Sequence, residues 1–492
     1  MKREYLLVVL TLFFACALVA QKQNIFLKRN FWKTNPSIKI INQKISEGND
    51  ISELNNNAFD AVVYSLLENT DSKTIKYLLT KDGNDVNKKT HDGRAYIFWA
   101  AYKNNLEIMK YLVSKGAKTN LIDSHGNTFL NFAATTGQTD LELYKYSFKI
   151  GADITKEKNH DGANALLLIA PYIKNFELID LFLSEGATLK DKDKNGNGFF
   201  EYAAKSGNID FLKTLIEKGI DKGENAMIFA SQGLRRKKNT LKMYKFLESV
   251  GVKTNVIDSK GRNPLHYIAF TNKDLASYTY FISKNVDINL QDIEGNSPFM
   301  NAANRNSLEV VEFLSKKVKN FNVKNKNGLS ALAMAVNRNS ADVVKFLLEN
   351  NADVNTIDVH GNSLSYYLIN TFNANKSRNF EDKLKILQKS GLIINNLQNS
   401  GNTLLHIAVK RNNLALLKRL NDFKINVNAK NKEGFTALQL AAMKAKNITI
   451  LEYLISIGAN KNIKTDFDET VYDLALENEL LQKNNININF LK

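Results

Sequence analysis

Hydrophobic and polar positions along this chain recur as a two-part block, clearest from Asn325 to Asn355, NKNGLSALAMAVNRNSADVVKFLLENNADVN. Leu332, Ala333, Ala335 and Val336 fall at helical spacing behind Ser330, a residue suited to cap a helix start. The pattern predicts a short first helix that stops at Asn339, because Asn tolerates the left-handed backbone such a stop uses. Val343, Val344, Phe346, Leu347 and Leu348 predict a second helix with one wide apolar face, ended by Asn351. Asn327-Gly328 predicts a tight turn ahead of both helices, with the glycine at positive φ. Such a block has nothing of its own on which to bury its apolar face, so it needs a copy on each side.

The copies are present. Aligned on the turn glycine they fall at Gly93, Gly126, Gly162, Gly196, Gly261, Gly295, Gly328, Gly361, Gly401 and Gly434. The successive gaps are 33, 36, 34, 65, 34, 33, 33, 40 and 33 residues, and the gap of 65 hides a degenerate copy around Ala226–Ala230. Asn57–Lys89 reads as a first, degenerate copy. Pro171 stands at the end of a first helix, where it removes a backbone donor and should shorten or bend that helix. Two copies are longer than the rest, one by Gly233–Asn239 with its basic run Arg235–Lys238, the other by Thr371–Asp382. Insertions of this kind map to loops on one side of a stacked array, as solvated loops or as contact sites.

Ahead of the array, Ser37–Gly48 predicts a capping helix with Ile38, Ile40, Ile41 and Ile45 on one face. Phe26, Phe31 and Trp32 before it either pack into the cap or meet a partner. After the array, Asp468–Gln482 reads as a terminal copy, with residues 484–492 frayed. The organisation expected is a segment 1–20, a lead and capping helix 21–56, an array 57–465, and a capping repeat with tail 466–492.

The residues within the period resemble a known family. Asp258 to His266 (DSKGRNPLH) closely resembles the D-x-x-G-x-T-P-L-H opening of ankyrin repeats, and Asn402 to Ala408 and Asn296 to Phe299 are close variants. Gly116-Ala117, Gly151-Ala152-Asp153, Gly186-Ala187 and Gly458-Ala459 match the family's closing G-A-D-x-N. The resemblance covers roughly residues 37–480, with about a dozen copies in phase. It implies an all-α ankyrin-repeat solenoid of helix-turn-helix units with short hairpin-like turns and terminal caps.

Composition adds a location and a charge. Lys2 and Arg3, the apolar run Tyr5–Phe14 and the small residues at Ala17–Ala20 form the pattern of an export signal, cut after Ala20. The apolar run is short for a membrane span. An uncleaved anchor, or lipid attached at Cys16, are the alternatives. Cys16 is the single cysteine, so cleavage leaves none for disulfides, thiolate metal sites or a thiol nucleophile. The formal charge is +17, and losing Lys2, Arg3 and Glu4 with the signal lowers it to +16. That balance suits an acidic protein or an anionic envelope surface. Export argues against nucleic acid, and no membrane span is expected in a mature chain read as a periplasmic or secreted monomer.

No catalytic constellation emerges. His91, His125, His160 and His360 lie at or beside turn glycines, and His266 and His406 occupy the T-P-L-H position, where the family's imidazole ties neighbouring turns together. Asp258, Asp292 and Asp358 recur once per copy at the turn opening, which fits a carboxylate bonding backbone amides across the turn. No cofactor and no metal are expected.

The resemblance further implies a concave groove lined by turn tips and first helices. Its exposed slots follow the Ala-Ala of each first helix. In one slot stand Lys103, Arg305, Arg338, Arg411 and Lys444, and beside it stand Tyr102, Lys205, Asn304, Asn337, Lys410 and Met443. A line of cations there would suit an acidic protein surface, Arg gripping carboxylates in pairs of bonds. Cations also collect at helix C-termini for the dipole alone. The function expected is a non-catalytic protein-binding scaffold. The alternatives are a protective or immunity-type factor for one exported enzyme or toxin, and electrostatic adhesion to an anionic envelope surface.

Overall fold

The computed structural model describes residues 24–235 and 237–492. The segment 1–20 read as an export signal, with Cys16 and the expected cut after Ala20, lies outside them, as does Arg236 of the basic run. Among the described residues the regular structure is helical, and extended pairing is confined to isolated bridges at Leu234–Lys237, Lys324–Ser330 and Ile357–Ser363. The chain divides into two compact units, one ending at Asn239 and one beginning at Thr240. The division falls within the 65-residue gap, beside the degenerate copy at Ala226–Ala230. The first unit holds five helix pairs, from Ala61–Leu67 with Ser72–Leu78 to Phe199–Ala204 with Ile209–Glu217, and then Ala226–Gln232. The second begins with Leu241–Ser249 and continues with seven pairs, from Pro264–Ile268 with Leu275–Ser283 to Val471–Leu476 with Glu479–Lys483.

Within each unit first helices stack on first helices and second helices on second. The block at Asn325–Asn355 shows why. Its first helix, Ala331–Arg338, starts at Ser330, whose hydroxyl accepts the Ala333 amide at 3.3 Å. Every residue from Ala331 to Val336 is buried, because the helix lies between two neighbours and against its own partner. Alanines such as Ala302, Ala303 and Ala335 let backbones approach closely. The second helix, Ala341–Glu349, buries Val343, Val344 and Leu347 on one face. Each fully buried side chain of this size contributes roughly 1.5–3 kcal/mol. Eight- or nine-residue helices are unstable alone in water, so packing supplies most of their stability.

Asn339 corrects one expectation. Its backbone is extended, with φ −101° and ψ −173°, rather than left-handed. Its side chain does the work instead: the amide donates to the carbonyls of Ala303 and Asn306 at 2.9 Å, the open C-terminal end of the preceding first helix. Asn306 does the same for Ala269 and Asn272 at 2.8 and 2.9 Å, and Asn478 for Ala442 and Ala445 at 2.8 and 2.9 Å. Asn239 reaches Ala204 at 3.3 Å in the first unit. The left-handed residue of the block is Asn351, at the end of the second helix (φ 62°).

The longer copies also differ from loops. In the second insertion, Arg378–Lys389 forms a twelve-residue helix, the longest of the second helices, with Phe380 buried against Phe372. It delivers Lys383 into the interior, where the ammonium donates to Val336 O at 2.8 Å in place of the usual Asn, and burial draws its pKa down to about 8. In the first insertion, Leu234 and Lys237 close a tight turn, and the Lys238 ammonium donates to Gln232 O at 3.1 Å, so only part of the basic run projects outward. The helix ahead of Pro171 is short, Ala165–Ile169.

Both ends are lidded. The capping helix runs Ile38–Ser46, with Ile41 buried but Ile40 turned to solvent. Phe26 and Trp32 are fully buried, and the indole donates to Phe26 O at 2.8 Å, so this part of the lead is packing rather than contact surface. Residues 484–492 are not frayed: Asn489–Leu491 forms a turn of 3-10 helix against Val471–Leu476, with Leu491 buried. Substituting Asn339 with Ala strands the carbonyls of Ala303 and Asn306. The expected cost is about 1–3 kcal/mol, read as a lower melting temperature with faster amide exchange in Ala331–Arg338.

Candidate functional site

The turn tips and the ends of the first helices form the exposed edge of each unit, and the tips are built by one repeated device. The residue opening each turn closes it with its side chain. Asp258 Oδ1 accepts the amides of Lys260 and Arg262 at 2.8 and 2.9 Å, and Asp292 and Asp358 do the same two and four residues on. Asn325 and Asn431 are neutral equivalents. All ten aligned turn glycines have positive φ. Successive tips are then joined by one backbone bond, as in Ile293 N to Lys260 O at 3.0 Å, Lys326 N to Glu294 O at 2.9 Å and Val359 N to Asn327 O at 3.1 Å.

Sequence reading missed a second tie. The residue nine positions after the turn opener reaches back to it: Tyr202 to Asp193 at 3.0 Å, Tyr267 to Asp258, Tyr367 to Asp358, and the Trp99 indole to Thr90 at 2.8 Å. Burial alone would raise the carboxyls of Asp258 and Asp358; bonds from these tyrosines and from turn amides outweigh it and hold both below the usual range. The recurring i, i+9 spacing of Asp and Tyr was a signal available in the sequence.

The histidines at the third position of the first helix are architectural. His266 Nε2 bonds Asn296 O at 3.1 Å and His406 Nε2 bonds Phe435 O at 2.9 Å, each in the next turn. Their Nδ1 atoms accept the amides of Asn263 and Thr403, which fixes the proton on Nε2. Burial lowers both pKa values. Gln439 accepts the Thr436 amide in the same way, and its amide nitrogen reaches the next repeat at Ile463 O, just ahead of the turn rather than within it. Asn131 holds the equivalent position but is one carbon shorter than Gln439. It is fully buried, and neither polar atom of its amide finds a partner among the described residues.

The ten predicted contact residues divide by unit. In the first unit, Lys103 donates to Leu67 O at 3.0 Å. Tyr102 packs edge-on to Trp99 and against Phe132, and the Lys205 ammonium lies 5.1 and 4.7 Å from the ring centres of Tyr202 and Phe229. Burial takes Lys205 down to about 8, with Asp161 and Asp193 opposing. In the second unit, Asn304 and Asn337 are half-buried, while Arg305, Arg338, Lys410 and Lys444 are exposed and form no ion pair or hydrogen bond among the described residues. Arg411 is the exception, donating to Ile369 O at 3.3 Å. For Lys205 the difference follows from the neighbouring side chains: Tyr202 and Phe229 offer it ring faces, whereas Asn301 and Met334, at the place of Tyr202, offer none to Arg305 and Arg338.

The period and the turn device find their counterpart among known proteins. The family profile described as ankyrin repeats matches residues 61–146, 265–358 and 372–465, together more than half of the chain. The chain belongs to the ankyrin repeat family. Among ankyrin relatives, a putative ankyrin repeat protein of Acanthamoeba polyphaga mimivirus is 23% identical over 403 residues, covering 78% of this chain and 49% of that protein. An alpha-latroinsectotoxin of Latrodectus tredecimguttatus is 26% identical over 420 residues, 81% of this chain and 24% of the toxin. The chain thus spans about half the length of the first and a quarter of the second. The ankyrin repeat domain of human ASB11 superposes with a TM-score of 0.38 at 23% identity, covering 45% of this chain and 96% of that domain. Ankyrin repeats indicate a protein-binding scaffold, and no helix among the described residues is long and apolar enough to cross a membrane.

Two outcomes follow for the ankyrin histidine position. Unfolded imidazoles protonate first as pH falls below about 6.5, whereas the buried ones resist. Stability is therefore complete above that pH and falls between it and the lowered folded pKa. His406→Gln keeps the Thr403 amide bond and a donor toward the next repeat, as Gln439 does, so its melting temperature should lose less than wild type between pH 7 and 5. Asn131→His supplies the missing contacts and should raise stability by about 1–3 kcal/mol, measured by denaturant unfolding.

Proposed function

We propose that this ankyrin array is a non-catalytic scaffold that captures an acidic protein surface along the first-helix ends and turn tips of its second unit. The observation that carries the reading is the set of exposed, unpaired cations Arg305, Arg338 and Lys444 at equivalent slots of three repeats of the second unit, with Lys410 beside that slot. Packing does not need Arg305, Arg338 or Lys444, since the carbonyl ends of their helices are capped by Asn and Lys side chains from the next repeat. Stacking brings equivalent slots into register, so a partner meets a row of positive charges, which steers association and selects against basic partners. The histidines and the turn carboxylates are committed to architecture, which fits binding rather than catalysis. The pattern at residues 1–20 supports action outside the cytoplasm, with a mature chain beginning at Gln21.

Charge reversal tests the reading. Arg305→Glu, Arg338→Glu and Lys444→Glu together should abolish capture of the protein retained by the wild-type chain and leave the melting temperature unchanged. Arg411 is left out because it also caps a helix. Capture that survives the triple reversal, or that ignores salt between 50 and 500 mM, overturns it; these salt limits are chosen as about one-third and three times physiological strength.

A further inference from the structure

The step between the tips at Gly361 and Gly401 breaks the regular ladder. At the preceding step the turns nearly touch: a Cβ on Gly328 would lie 2.7 Å from Val359 N and 2.9 Å from the Asp358 backbone. A Cβ on Gly361 would meet nothing within 4 Å. The next tip is joined not through a backbone carbonyl but through the Asn362 side chain, whose Oδ1 accepts the Asn399 amide at 2.9 Å. This is the 40-residue step, whose insertion lengthens the helix Arg378–Lys389. Opening the seam leaves a pocket of about 230 Å³ lined by Asn362, Tyr366, Asn399, Ile407, Lys410 and Arg411 among others.

Its chemistry is one-sided. The lining holds two cations, a phenol and side-chain amides, and no carboxylate. Arg411 is held in place: the guanidinium donates to Ile369 O at 3.3 Å and to the Tyr366 phenol, whose ring centre lies 5.9 Å away. The remaining N–H donors of a planar fork thus point from a fixed, partly desolvated base, the condition under which a paired carboxylate contact is strongest. Lys410 adds a second, untethered charge, and Ile407 gives an apolar wall for a methylene stem. The volume is below that of sites for drug-sized ligands and matches one side chain.

We infer that this pocket is an anchor for a single acidic side chain, Glu or Asp, presented by an extended segment of the protein partner. The inference rests on the acidic-partner reading above and narrows it to one position. Arg411 supplies the paired bonds, Lys410 neutralises the second oxygen, and the exposed cations at Arg305 and Arg338 act on the rest of the segment through space.

The test uses the full chain and a fluorescein-labelled peptide, Gly-Gly-Glu-Gly-Glu-Gly-Gly, followed by anisotropy, with the Gln-for-Glu peptide as control. Binding of the Glu peptide should weaken about tenfold in Arg411→Gln and several-fold in Lys410→Gln, while Arg338→Gln changes it little. The Gln peptide should bind the wild type no better than the variants. Lys410 has no structural bond, so its variant keeps the test valid if Arg411→Gln melts early. Equal weakening by Arg338→Gln and Arg411→Gln means diffuse attraction and overturns the pocket, as does equal binding of both peptides or competition by inorganic phosphate as strong as by free Glu peptide. If the partner is still captured by Arg411→Gln and Lys410→Gln but lost on reversing Arg305, Arg338 and Lys444, the pocket fails and the scaffold reading stands.

Discussion

Among the described residues, the first helices within a stack end beside the next repeat, and their last carbonyls look for donors there. A buried carbonyl left without a partner costs about 1–3 kcal/mol, and helices of five to eight residues have several such carbonyls for few internal bonds. The following repeat supplies the donor. Asn306, Asn339 and Asn478 do so with an amide, Lys383 with an ammonium, and Gln138 reaches Tyr102 O in the first unit. Where the insertion displaces the usual Asn, the longer helix carries Lys383 to the Val336 carbonyl instead. The identity of the donor varies from repeat to repeat, while the task it performs is the same.

That requirement explains what was legible in one dimension and what was not. The period, the turn glycines, the Ser330 cap and the apolar faces are local features, readable from spacing alone. Asn339 was read locally too, as a left-handed stop. Its backbone proved extended because the demand on it comes from carbonyls some 33 to 36 residues earlier. The Tyr-to-Asp ties and the histidine contacts likewise join positions that single-block reading treats apart. The tail at 484–492 reads as polar fringe, yet Leu491 and the bond from Lys461 to Phe490 O close the final helix pair.

The candidate site was legible as positions and not as states. Equivalent slots follow from the Ala-Ala pair, but whether a cation there is free depends on the carbonyl or ring within its reach. Lys103 and Lys205 are absorbed by a carbonyl and by two aromatic rings, whereas Arg305 and Arg338 stand beside Asn301 and Met334 and project outward. Arg411 lies between these cases, bonded to Ile369 O and to the Tyr366 phenol yet facing solvent. A charge count treats all of them alike.

The donor always lies later in the chain than the carbonyls it serves. Asn306 serves Ala269, Asn339 serves Ala303 and Asn478 serves Ala442, at separations of 37, 36 and 36 residues. The tip-to-tip amide bonds run the same way, as from Ile293 back to Lys260. A chain leaving the ribosome therefore cannot finish a repeat with residues it has already made. Each newly emerged first helix waits, one end open, until the next block of about the same length appears, and completion travels behind synthesis by one repeat.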